Sequence, residues 1–60
     1  NEDILYTYII RNVESKEFFI QKAIGWALRE YSKINPTSVR YFIENTKLAK
    51  LSIREGSKYL

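Results

Sequence analysis

Cysteine and histidine are absent from the 60-residue sequence. That removes disulfide staples, thiol or imidazole nucleophile–base pairs, and every familiar zinc-ligand spacing. There is no Gly-rich phosphate loop, so neither a metal nor a nucleotide cofactor is expected. Proline occurs once and glycine twice, too few turn formers for a β-rich fold of many short strands. The uncharged stretches fall far short of the roughly 20 apolar residues of a membrane-spanning helix, and no leader pattern is visible. A soluble, cytoplasmic protein is expected, a setting that the lack of cysteine suits. Linkers and low-complexity segments are lacking as well.

What remains is a single small, helix-forming unit. Most of the surface of so short a chain stays wet. With no covalent or metal staple, the chain is expected either to come from a longer protein or to self-associate. The first residue is Asn1 rather than methionine, and helical character persists to Leu60, so both ends read as cut. Ten Lys/Arg against seven Asp/Glu give a net charge of +3, which favours an acidic partner only if the cations are gathered together.

The pattern predicts an all-α fold of four helices over about residues 2–12, 16–33, 36–46 and 52–60. In the first, Ile4, Leu5, Tyr8 and Ile9 form the apolar face, with Glu2 and Asp3 at its start and Arg11 near its end as the helix dipole prefers. Ser15 is the expected cap of the second. Asn35 and Pro36 announce the third, whose inward positions are Val39, Phe42 and Ile43. Leu48 and Leu51 are expected to pack inward from a loop. Ser52-Ile53-Arg54-Glu55 has the form of a capping box opening the fourth, with Ile53, Tyr59 and Leu60 as buried candidates. Short connections make two stacked antiparallel hairpins.

On the second helix, Ile20, Ile24, Ala27 and Tyr31 cluster on one side, flanked by Ala23 and Leu28. Nearly opposite lie Lys22, Trp26, Arg29 and Lys33, at i, i+4, i+7 and i+11, within about 60° of one another. This stripe holds three cations, an indole and no carboxylate. Arginine grips phosphate oxygens in pairs, lysine adds point charge, and an indole covers a sugar or stacks on a base. Gly25 leaves room beside the indole for another helix or a ligand. Two readings stand side by side: a DNA-backbone surface, or an interhelical Trp26 with ordinary solvated cations beside it.

The run Phe18-Phe19-Ile20-Gln21-Lys22-Ala23-Ile24-Gly25-Trp26-Ala27-Leu28-Arg29-Glu30-Tyr31 resembles the signature segment of the DNA alkylation repair family, the AlkD-like glycosylases built from HEAT-like repeats. The likeness continues through Asn35-Pro36, Leu51-Ser52 and Arg54-Glu55. It implies antiparallel helical hairpins of a HEAT-like α-solenoid. It also implies an enzyme that excises cationic alkylated purines, such as 3-methyladenine and 7-methylguanine, from double-stranded DNA. Trp26 matches a cleft tryptophan, and Lys22, Arg29 and Lys33 share its DNA-facing stripe. The family's catalytic aspartate and its partner arginine lie on upstream repeats that have no counterpart here. None of Asp3, Glu14, Glu17 or Glu30 falls on the stripe, so no catalytic residue is assigned. The expectation is therefore a single unit, residues 1–60, forming the C-terminal part of a larger DNA glycosylase and inactive alone. The rival is a non-catalytic helical-repeat module that binds DNA or a protein partner.

Overall fold

The computed structural model describes all 60 residues as four helices: α1 (Glu2–Asn12), α2 (Phe18–Ser32), α3 (Pro36–Asn45) and α4 (Lys50–Gly56). The Asn1 side chain caps α1, accepting from the backbone N–H groups of Asp3 at 2.8 Å and Ile4 at 3.2 Å. Asn35 caps α3 by accepting from Ser38 N–H at 3.2 Å, with Pro36 in the first turn as expected.

The other two starts differ from expectation. Ser15 does not cap α2: its hydroxyl accepts from Glu17 N–H, Glu17 adopts the extended cap conformation, and the helix begins at Phe18. The Ser52 capping box is not formed either. Ala49 is the extended residue, α4 starts at Lys50, and Ser52 is fully buried within the helix. Its hydroxyl instead serves the neighbouring helix, meeting the backbone carbonyl of Gln21 at 2.8 Å and the Gln21 Oε1 at 3.0 Å. The same Gln21 amide donates back to the Val13 and Ser15 carbonyls, tying down the loop before α2. Burial thus competes with capping for the Ser52 hydroxyl, because an orphaned polar group inside costs more than a weak helix start.

Contacts fix the helix directions. Glu2 and Tyr6 of α1 meet Tyr31 near the end of α2, while Val13 beyond α1 meets Gln21 near its beginning, so α1 and α2 are antiparallel. Along α2, residues 21, 25 and 28 meet residues 52, 55 and 56 in the same order, so α2 and α4 run parallel. Likewise Glu2 and Tyr6 meet Ser38, and Tyr6 stacks on Phe42, making α1 and α3 parallel. Two antiparallel hairpins are therefore stacked in the same orientation.

Between the α1/α3 layer and the α2/α4 layer lies a core of Ile9, Ile24, Leu28, Val39, Phe42 and Leu48. Leu5, Tyr6, Val13, Ile20, Tyr31 and Ile43 pack around it. The α1 face is rotated from the expected one. Tyr6 replaces Tyr8 on the inward side, and Ile4 and Tyr8 are 71% and 49% exposed. On α2 the burial shifts toward Leu28, away from exposed Ala23. Ile53, Tyr59 and Leu60 are exposed rather than buried: Ile53 lies on the open side of α4, and Tyr59 and Leu60 follow the end of that helix at Gly56.

A polar network joins the hairpins on the far side of α2 from Trp26. Ser38 Oγ and Tyr31 Oη donate to one oxygen of Glu2 at 2.7 and 2.8 Å, and Tyr6 Oη lies 2.8 Å from Ser38 Oγ. The Ser38 and Tyr31 hydroxyls hold the Glu2 carboxyl below its ordinary range. Burial raises the Tyr6 phenol, and the hydrogen bond to Glu2 raises that of Tyr31.

Candidate nucleic-acid interface

The stripe on α2 faces outward. Trp26 is 55% exposed, which excludes it from the core. Lys22 and Lys33 are exposed, and Arg29 is half-buried. All four expected residues therefore share one open face of one helix. They divide, however, into two chemically distinct halves.

In the first half, Lys22 Nζ sits 5.8 Å from the ring centre of Phe18, one turn earlier on the same stripe. Phe18 is itself exposed and meets the exposed Phe19 edge to face at 5.6 Å. Sequence reasoning assigned no role to Phe18, although its i−4 spacing from Lys22 places it there. The result is an aromatic and cationic surface of Phe18, Lys22 and Trp26 in which no carboxylate is paired with the lysine.

In the second half the cations have company. Glu30 Oε1 holds Lys33 Nζ at 3.1 Å. Carboxylates of Glu30 and Glu55 stand 3.8 and 4.0 Å from the Arg29 guanidinium. Tyr59 lies between the cations, its ring centre 5.2 Å from Arg29 Cζ and 5.3 Å from Lys33 Nζ, and its hydroxyl accepts from Arg29 at 3.2 Å. Cations over a ring face are held by its quadrupole. The stripe itself holds no carboxylate, but its second half has acidic neighbours. Glu55 arrives from α4 and Tyr59 from the turn that follows it, and only the parallel α2/α4 register brings them in.

That register depends on Gly25. A Cβ there would lie 2.7 Å from Glu55 Cβ and 3.1 Å from the Ser52 backbone. The space beside the indole is therefore filled by α4, which seats Glu55 next to Arg29. No three Asp, Glu, His or Cys side chains gather in a metal-binding group. No helix is long and apolar enough to cross a membrane.

The profile of the DNA alkylation repair enzyme family matches residues 1–60, the whole sequence. The chain belongs to that family. Among solved structures it is similar to one described as a predicted DNA alkylation repair enzyme from Enterococcus faecalis, at 53% identity and a TM-score of 0.98. The match covers 100% of this chain and 28% of that one, so the family member in hand spans just over a quarter of its solved relative. No curated protein matches it.

Proposed function

We propose that this chain is the C-terminal, DNA-contacting part of a longer alkylpurine DNA glycosylase, with Lys22, Trp26, Arg29 and Lys33 meeting the duplex backbone. The observation that carries the reading is the exposure of Trp26 beside Lys22 on an open face, in a chain of the DNA alkylation repair family. The in-register stacking of two hairpins supports a HEAT-like solenoid, in which further hairpins extend the same face. Its partner is double-stranded DNA bearing 3-methyladenine or 7-methylguanine, and its setting the cytoplasm, which the cysteine-free composition favours.

The chemistry follows from the substrate's charge. An alkylated purine is already cationic, so its bond to the sugar is weakened. A carboxylate from another part of the enzyme then stabilises the developing oxocarbenium sugar. The α2 stripe contributes position rather than bond cleavage: phosphate contacts fix register without reading sequence. In the longer enzyme, Trp26→Ala and Arg29→Ala are each expected to lower excision of 7-methylguanine about tenfold or more, as loss of a stacking or phosphate contact does. Unchanged excision in both variants overturns the assignment.

One observation favours a second reading, a non-catalytic helical-repeat module for a protein partner. Glu30 and Glu55 give the Arg29 half of the stripe both charge signs, as protein-facing surfaces often have. Binding to duplex that weakens steeply with salt supports the DNA reading, because counterion release drives it. Salt-insensitive binding to a protein supports the other.

A further inference from the structure

The Arg29 guanidinium is balanced in charge yet poorly satisfied in hydrogen bonds. Its Nε is buried without a partner, and its one side-chain acceptor is the Tyr59 hydroxyl at 3.2 Å. The two carboxylates stand at 3.8 and 4.0 Å, beyond the roughly 2.7–3.2 Å of an N–H···O bond. Guanidinium groups bind two-oxygen anions best through paired, parallel N–H donors. Here Nη2 donates to Tyr59 alone and no pair of donors is engaged together, while Glu55 holds a negative charge 4.0 Å from Nη1.

The root of the Glu55 side chain is fixed, so only its carboxylate end can swing aside. Its Cβ is seated over Gly25, in the gap that the missing side chain leaves. On the other side, Tyr59 keeps Arg29 and Lys33 against one ring. Both Arg29 and Glu55 retain solvent contact, with side chains 23% and 25% exposed, so a dissolved anion reaches the pair.

We propose that Glu55 is an internal competitor for Arg29: its carboxylate stands where a DNA phosphate binds, and the duplex must displace it. The inference rests on the reading of the α2 stripe as a DNA surface and adds a residue of opposite sign that sets how tightly the backbone is held. Two carboxylates against Arg29 and Lys33 make this half of the stripe nearly neutral in the free protein. Undamaged duplex is therefore held loosely there, and Lys22 and Trp26 meet it first.

The test is the affinity of the longer enzyme for undamaged duplex, measured by fluorescence anisotropy across a salt series. Glu55→Gln keeps the shape and removes the charge. It is expected to tighten binding about fivefold at low salt and to steepen the log–log salt dependence by about one unit, since one more phosphate contact counts in full. In an Arg29→Gln background the same change is expected to give no gain. Glu55→Asp, which keeps the charge but withdraws it, is expected to give a smaller gain and serves if the glutamine variant does not fold. Binding that stays the same or weakens in the Glu55 variants overturns the inference, as does an equal gain without Arg29, which would reflect overall charge alone. Loss of binding in Arg29→Gln with no gain in Glu55→Gln sinks only this competition. No loss in Arg29→Gln sinks the DNA surface itself.

Discussion

The two hairpins meet along two seams built from opposite materials. Between α2 and α4 the contact is backbone-close, with Gly25, Gly56 and the buried Ser52 where side chains would otherwise keep helices apart. Between α1 and α3, and reaching across to the end of α2, side chains do the joining: Tyr6 stacked on Phe42 at 4.1 Å, and hydroxyls of Ser38 and Tyr31 on Glu2. A seam made of backbone tolerates no added atoms. A seam made of side-chain hydrogen bonds tolerates shape changes but answers to pH.

The largest expected effect breaks the first seam. Gly25→Val places carbons against the Ser52 backbone and Glu55 Cβ, where a Cβ alone would already lie within 3.1 Å and 2.7 Å. It is expected to cost about 3 kcal/mol or more in urea unfolding, at or above the upper end of overpacking penalties. Ser52→Ala comes next. It removes a buried donor that serves Gln21, and about 1–2 kcal/mol of stability is expected to go with it.

Acid probes the second seam. The Glu2 carboxyl is held below its ordinary value of 4.5, so its folded form binds the proton less tightly than its unfolded form. The stability it contributes is present above that value and is lost as pH falls through the lowered one. Melting temperatures followed from neutral pH downward are expected to fall below about pH 4.5, and the Glu2→Gln variant is expected to flatten that decline. Equal acid sensitivity in the variant would assign the decline to other carboxylates.

Trp26→Ala sharpens the comparison by touching neither seam. With the indole 55% exposed, melting is expected to shift by no more than about 0.5 kcal/mol, even as DNA-dependent activity drops. A large loss of stability would return Trp26 to a structural role.

The all-α class and the bounds of α1 and α3 were legible because their signals are local: Asn35-Pro36 sets a start whatever surrounds it. The exposed stripe was legible too, since helical spacing alone gathers Lys22, Trp26, Arg29 and Lys33. The start of α4 was not. Ser52 and Glu55 carry a capping-box pattern, but each side chain is claimed by α2, through Gln21 and Arg29. Nor did spacing within one helix reveal that Tyr59, 30 positions beyond Arg29, would share its surface. Periodicity reports which way a residue faces on its own helix and says nothing of what the next helix lays beside it. The misplaced α1 face has the same origin: Tyr6 and Tyr8 are equally aromatic, and the stacking partner Phe42 decides between them.

The hydrogen atom on Gly25 acts as a shim. Its thinness lets one hairpin lean fully onto the other, and in a stack of hairpins the lean at each junction sets how sharply the whole curls. The radius of a groove can thus be written at a position that lends no atom to its lining.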